Sequence, residues 1–361
     1  MKKKIALLSG DGIGPEVAAQ AVKALKAVEE VYNHNFEFTE ALVGAIAIDK
    51  TGNPFPDETL KICQESDAIL FGAIGHPKYD NDPTAKVRPE QGLLAMRKAL
   101  GLFANIRPIN SYKILEEASP LKSHIINGVD FVVFRELTGG LYFGNPRGRS
   151  EDGKTAFETC VYTEEEIIRI AKLAFEAARR RKNKVTLVDK ANVLVTSRLW
   201  RETVKKYHAE NFSDVELDFL FVDNAAMKII TWPKAFDVVL TENLFGDIIT
   251  DEASVISGSL GMLPSASVGS KVALYEPIHG SYPEAAGKNI ANPVGAILSA
   301  AMLLETSFNM LDEAKAIRNA VEKALDSGFV TIDINKDKYY STTEVGDKIA
   351  ELIKANATVA K

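Results

Sequence analysis

The stretch Lys4-Ile5-Ala6-Leu7-Leu8-Ser9-Gly10-Asp11-Gly12-Ile13-Gly14-Pro15-Glu16 is where two readings of the fold part. Its apolar run, Ile5 to Leu8, has the length of a buried strand. Glycines interrupt it before a helical pattern in which Val17, Ala21, Leu25 and Val28 share one face. Strand, glycine-rich turn and helix in that order invite a Rossmann dinucleotide site, whose fingerprint is Gly-x-Gly-x-x-Gly. Gly10 and Gly12 fill two positions, but Pro15 occupies the third, where glycine would allow close helix–strand packing. Proline suits a first helical position, because its missing N–H would have no partner there anyway. The stretch therefore reads as a tight turn opening a helix, and the fold as something other than Rossmann.

Outward from this turn the alternation continues. Phe36 to Val43 reads as a strand, Glu58 to Glu65 as a helix and Ala68 to Phe71 as a buried strand. Further strands are expected at Phe131–Phe134, Val185–Val188, Phe219–Val222 and Phe236–Leu240. Helical patterns cover Glu90–Leu100, Glu164–Arg181, Thr196–His208 and Asn292–Glu305, with two more near 311–326 and 343–355. Strands interleaved with helices indicate an α/β protein whose sheet is at least partly parallel. A chain of 361 residues exceeds what one core usually supports, so two domains are expected. There is no internal repeat, no low-complexity segment and no Pro/Gly/Ser linker, which suggests domains that share strands or cross over.

Composition removes several function classes. Hydrophobic residues make up 46% and charged residues 25%, ample for a sizeable core. The net charge of −6 and the lack of a dominant basic stretch argue against a nucleic-acid partner. The densest basic cluster, Arg179 to Lys184, closes a helix, where cations complement the helix dipole. Cys63 and Cys160 fit neither a disulfide framework nor a zinc site and point to a reducing compartment. The apolar run after Met1-Lys2-Lys3-Lys4 is too short for a signal segment, and no run reaches membrane-spanning length. A soluble cytoplasmic protein is expected.

Four local patterns bear on chemistry. In Thr241-Glu242-Asn243-Leu244-Phe245-Gly246-Asp247-Ile248-Ile249-Thr250-Asp251, Asn243 suits an N-cap, and Asp247 and Asp251 fall on one helical face. Two carboxylates so placed either bind a divalent cation, which takes oxygen ligands and often only one or two carboxylates, or simply favour the helix dipole. Arg97, Arg107 and Arg135 sit on or beside regular elements, suited to bidentate carboxylate capture or to ordinary surface ion pairs. Tyr142 follows Thr138-Gly139-Gly140-Leu141, while Lys190 and Asp223 follow strands, at the ends where α/β proteins bind ligands. The segment His279-Gly280-Ser281-Tyr282-Pro283-Glu284-Ala285-Ala286-Gly287 is either a plain surface loop or one that sets backbone N–H groups against a ligand.

Taken in order, Gly10-Asp11-Gly12-Ile13-Gly14-Pro15-Glu16, Arg135-Glu136-Leu137-Thr138-Gly139-Gly140, Val188-Asp189-Lys190-Ala191-Asn192 and His279-Gly280-Ser281 resemble the β-decarboxylating dehydrogenases of the isocitrate/isopropylmalate family. The resemblance spans essentially the whole chain. It implies a two-domain α/β fold with a mixed parallel and antiparallel sheet. Residues 1–102 plus 258–361 would form the cofactor-side domain, and 103–257 the domain carrying dimer contacts and the metal and substrate residues. It implies a homodimer with shared active sites. Arg97, Arg107 and Arg135 would grip substrate carboxylates. Asp247 and Asp251, with Asp223 from the other subunit, would hold Mg²⁺ or Mn²⁺. Tyr142 and the other subunit's Lys190 would move protons.

The resemblance also implies that Glu90, Leu93 and Leu94 face the substrate's side chain, with Asp223 reaching the substrate as well. Two leucines would suit an isopropyl group and reject a third carboxylate, whose burial against leucine is costly. His279, Gly280, Ser281, Glu284, Ala285 and Asn292 would line the adenosine site. Glu284 would repel a 2′-phosphate and so select NAD, although the more familiar residue at that position is the shorter Asp. The expected reaction is NAD-dependent oxidative decarboxylation of isopropylmalate. D-malate, tartrate or homoisocitrate are the rival substrates, and a catalytically silent subunit is the rival of another class.

Overall fold

The computed structural model describes residues 1–81, 85–116 and 118–358. The chain divides into two compact units, Met1–Leu102 with Gly258–Lys361, and Phe103–Ser257. Both are α/β. Among the described residues no helix is long and apolar enough to cross a membrane.

In the first unit the strands run in the order Asn35–Glu40, Lys2–Gly10, Ala68–Ala73, Ala273–Pro277, Pro264–Gly269. The first three joints are parallel and the last is antiparallel, with Ser265 opposite Glu276. Every residue of Ala68–Ala73 is buried, and so its sequence is an unbroken apolar run rather than an alternation. The helix Gly14–Tyr32 buries Val17, Ala21, Leu25 and Val28, the face its periodicity marks. Pro15 is its second residue rather than its first, which is equally free of a required N–H bond. The helices Val294–Phe308, Leu311–Asp326 and Thr342–Thr358 complete the packing. The strand expected to reach Val43 stops at Glu40.

In the second unit the order is Leu102–Asn110, Asp130–Glu136, Val238–Thr241, Lys184–Asp189, Glu216–Phe221. The first joint is antiparallel, with Asn105 opposite Arg135, and the other three are parallel. The sheet is thus mixed, as expected. The helix Glu164–Arg179 starts at a reciprocal cap in which Thr163 and Glu166 bond each other's backbone N–H.

Three local expectations are corrected here. Val222 opens the helix Val222–Thr231 instead of ending a strand, so Asp223 lies in a first helical turn. The N-cap of the helix Asn243–Ser254 is Glu242, whose side chain accepts the Phe245 N–H at 2.8 Å; Asn243 is needed elsewhere. The basic cluster does more than complement a dipole: Arg179 pairs with Asp214, and Arg181 with Asp130 and the buried Asp237.

Candidate active site

The sheet register of the second unit places the charged groups. Arg135, near the end of Asp130–Glu136, stands beside Thr241, the last residue of the strand that leads through Glu242 into the aspartate-bearing helix. From there its Nη1 donates to Asp247, while Nε and Nη2 donate to Asn243 Oδ1 at 3.0 and 2.7 Å. A Cβ at Gly246 would lie 2.5 Å from Arg135 Cγ, so only glycine lets the arginine stem cross the helix here. Arg107, on Leu102–Asn110, donates through Nη1 to Thr250 Oγ1 at 2.6 Å and to Asp251 at 3.2 Å. Tyr142 donates to the second oxygen of Asp247 at 2.7 Å, and the Arg135 guanidinium lies over its ring, 5.9 Å from the centroid. Burial and the Asp247 carboxylate push the Tyr142 phenol up to about 12, keeping it a proton donor.

The alternative reading of the arginines as surface pairs does not hold: the Arg107 and Arg135 side chains are only 12% and 6% exposed. Their positions are supported from behind. Glu136, fully buried, accepts the N–H of Thr138 and, at 2.7 Å, of Gly139, and takes Arg169 at 2.9 Å. This fixes the turn that leads to Tyr142. Tyr162 donates to Glu242 at 2.9 Å and accepts the Asn243 N–H at 3.0 Å; burial raises the Glu242 carboxyl.

Lys190 and Asp223 form a separate pair at 2.7 Å. The lysine holds the Asp223 carboxyl below its usual range. Asp189 beneath them is buried and takes a bidentate grip from Arg201 at 2.7 and 2.8 Å. Asp223 does not join Asp247 and Asp251: no group of three metal-ligating side chains occurs among the described residues. Asp247 and Asp251 nevertheless offer all-oxygen donors one turn apart, a set that fits Mg²⁺ or Mn²⁺ completed by water and substrate. Both carboxylates face arginines in the structure.

In the first unit, the helix Pro89–Ala99 carries Glu90, Leu93, Leu94 and Arg97. Arg97 Nη2 donates to Glu276 at 3.0 Å, and its buried Nε has no partner among the described residues. Leu94 is 44% exposed, large for an apolar side chain, whereas Leu93 is half-buried against the core. Glu90 lies next to Gly75, at the end of Ala68–Ala73. Ser281 and Asn292 are buried, Glu284 is exposed in the short turn Pro283–Ala285, and Ala285 is buried. His279 Nδ1 donates to Gly280 O at 2.9 Å, leaving Nε2 as a shielded acceptor with no partner. This acceptor has no donor among the described residues, and the same loop carries the exposed Glu284 and an open Gly280, polar surface that fits the hydroxyl and amine donors of an adenosine.

The glycine-rich turn holds this loop. Ile13 N–H donates to Ser281 O at 2.8 Å, and a Cβ at Gly12, whose φ is +57°, would meet that same oxygen at 2.0 Å. Glu16 accepts the N–H of Gly287 and, at 3.1 Å, of Asn289. Asp11, buried, accepts the N–H of Ala45 at 2.8 Å and of Ile46 and Gly75 at 3.0 Å. The sequence reading assigned no role to Asp11, Glu16, Glu136, Thr250 or Glu276. A signal for one of these, Thr250, was present: Asn243, Asp247, Thr250 and Asp251 recur at i, i+4, i+7 and i+8, a polar stripe on one helical face.

Known proteins similar to this chain place it in a family. The chain is 54% identical to the 3-isopropylmalate dehydrogenase of Aquifex aeolicus, over 97% of each protein. It is 54% identical to that of Bacillus subtilis, over 98% of this chain and 97% of the relative. Among solved structures it matches isocitrate dehydrogenase from Methylococcus capsulatus with a TM-score of 0.86 at 34% identity, covering 98% and 99% of the two chains. The family model for isocitrate/isopropylmalate dehydrogenase matches residues 4–349, and the chain belongs to that family.

Proposed function

We propose that this protein catalyses the NAD-dependent, divalent-metal-dependent oxidative decarboxylation of 3-isopropylmalate to 4-methyl-2-oxopentanoate, a step of leucine biosynthesis. The observation that carries the reading is the convergence of Arg107, Arg135 and Tyr142 on Asp247 and Asp251. Arg97, Arg107 and Arg135 take the two substrate carboxylates, Leu93 and Leu94 meet the isopropyl group, and Glu90 borders it. The exposed Leu94 supports this choice, since a leucine held in water gains by covering a branched alkyl group.

Asp247 and Asp251, with the partner subunit's Asp223, hold Mg²⁺ or Mn²⁺. His279, Gly280, Ser281, Glu284, Ala285 and Asn292 line the NAD adenosine site. When bound, NAD accepts a hydride and the cation polarises the keto oxygen so that CO₂ leaves readily. Lys190 accepts the substrate hydroxyl proton. Its Nζ donates to Asp223 at 2.7 Å, which holds the side chain in place. Tyr142 delivers a proton to the carbon that loses CO₂, from a phenol whose raised pKa keeps the proton in place until then.

The homodimer is part of the reading. Met227 and Ile248 are 59% and 58% exposed on two helices that pack together, an apolar face suited to a second copy. The proposed setting is the cytoplasm, where Cys63 and Cys160 remain free thiols. The test is NADH formation across isopropylmalate, D-malate, tartrate, homoisocitrate and isocitrate, with and without chelator. Isopropylmalate is expected to lead D-malate by about tenfold or more in kcat/KM, with loss of turnover on chelation. Equal or better turnover of isocitrate, or no NADH at all, overturns the proposal.

A further inference from the structure

Asn243 is 1% exposed, and its amide is committed on both sides. Its Oδ1 accepts two of the Arg135 guanidinium N–H groups, at 3.0 and 2.7 Å. Its Nδ2 donates to Gly139 O at 3.1 Å, in the turn that leads into Tyr142. Its backbone N–H is taken by Tyr162 OH, itself bonded to Glu242. A helix cap would use the side-chain oxygen on its own first turn; that work is done by Glu242. The Asn243 side chain instead points away from its helix, to a strand end on one side and a glycine turn on the other.

We propose that Asn243 is the positioning residue of this site: one amide fixes the plane of the Arg135 guanidinium and ties it to the turn carrying Tyr142. The inference rests on the functional reading above. Arg135 has five N–H donors in a rigid fork. With Nε and Nη2 engaged by one oxygen, the fork cannot rotate about its stem, and Nη1 is aimed past Asn243 toward Asp247. Nη1 is then presented where a substrate carboxylate would arrive. Amide chemistry is required because the two neighbours have opposite needs. Arg135 needs an acceptor, the Gly139 carbonyl needs a donor, and of similarly sized side chains only asparagine supplies both. Aspartate keeps the first and sets an oxygen against the carbonyl; leucine loses both.

The experiment uses steady-state kinetics of the full-length enzyme with isopropylmalate, NAD and Mg²⁺ on Asn243→Ala, Asn243→Asp, Arg135→Ala and the double variant Arg135→Ala/Asn243→Ala. Asn243→Ala is expected to raise the isopropylmalate KM about tenfold or more and leave the NAD KM within about twofold. Asn243→Asp should keep the isopropylmalate KM closer to wild type and lose mainly kcat, because the Tyr142 turn is pushed while the guanidinium is still held. In the Arg135→Ala background, Asn243→Ala should add little further change in isopropylmalate KM, since the group it orients is gone.

A merely structural role would shift both KM values together and act in either background; that result overturns the proposal. So does wild-type behaviour of Asn243→Ala. If Asn243→Ala does not fold, the split between KM and kcat in Asn243→Asp decides on its own. If wild type itself fails to turn over isopropylmalate, it is the functional reading that has failed.

Discussion

In the unit Phe103–Ser257 the candidate chemistry is held by side chains on side chains: Arg135 on Asp247 and Asn243, Arg107 on Asp251 and Thr250, Tyr142 on Asp247. In the unit Met1–Leu102 with Gly258–Lys361, Arg97 is likewise held by the Glu276 side chain, but the carboxylates of the glycine-rich turn hold backbone instead. Asp11 takes three N–H groups, two from the start of the helix Ala45–Thr51 and one from the loop at Gly75, and Glu16 takes two from the segment after Glu284. On the proposed function, the difference follows from what each region has to present. A small dianion and a cation need charges that are already paired and ready to exchange partners. A nucleotide needs a surface whose shape is fixed, and a carboxylate that collects N–H groups fixes backbone better than packing does.

Breaking the first arrangement should have the largest effect. Tyr142→Phe removes the proton donor but leaves the ring under Arg135, so kcat is expected to fall by about 10²–10⁴-fold with substrate binding largely kept. Lys190→Ala should lose turnover on the same scale. Because the proposed site draws Tyr142 and Lys190 from different subunits, mixing these two inactive dimers after subunit exchange should restore about a quarter of wild-type activity, as half the dimers are mixed and each has one intact site. No recovery on mixing would place both groups in one chain and remove the shared-site part of the proposal.

Breaking the second arrangement should be felt as stability and cofactor affinity. Asp11→Ala leaves up to three buried N–H groups without an acceptor, expected to cost about 3–5 kcal/mol by denaturant unfolding. Glu16→Ala frees Gly287 and Asn289, and is expected to raise the NAD KM about tenfold while the isopropylmalate KM changes little. A kcat loss with an unchanged NAD KM would show that Glu16 does not serve the nucleotide loop.

The smallest expected effect concerns His279, whose imidazole burial holds below its usual 6.5. The folded state therefore binds this proton less readily than the unfolded chain. The native state gives up stability as pH falls below about 6.5 toward the depressed value, and nothing changes above it. His279→Asn should reduce the drop in unfolding midpoint between pH 7.5 and 5.5. An identical drop in the variant would show that this imidazole does not contribute.

Most elements were legible. The helix Leu311–Asp326 falls at the residues its periodicity marks, because an amphipathic face repeating every 3.6 residues has no strand equivalent. The fully buried parallel strand Ala68–Ala73 was legible from its unbroken apolar run. Strands such as Pro264–Gly269 and Ala273–Pro277 were not, since glycine, serine and proline punctuate them as they would loops. Asp223 was placed at a strand end because Phe219-Leu220-Phe221-Val222 is equally apolar whether the last residue closes a strand or opens a helix. Among candidate site residues, the arginines, the aspartate pair, Tyr142 and Lys190 could be singled out from the sequence. Those that hold them, Asn243, Glu136, Asp11 and Glu16, were not given their roles, because a polar side chain is silent about its partner until the chain brings one to it.

The sequence by itself determined the α/β alternation, the absence of the third glycine of a dinucleotide fingerprint, the pair of carboxylates one turn apart and the blocks that mark the family. Each is a local property, written within about ten residues. Only the tertiary structure decided that Arg135 lies across Gly246, that one amide serves both an arginine and a glycine turn, and that the opening turn clamps a loop about 270 residues away. Those are contacts between distant segments, whose free energy depends on distance and burial in three dimensions rather than on spacing along the chain.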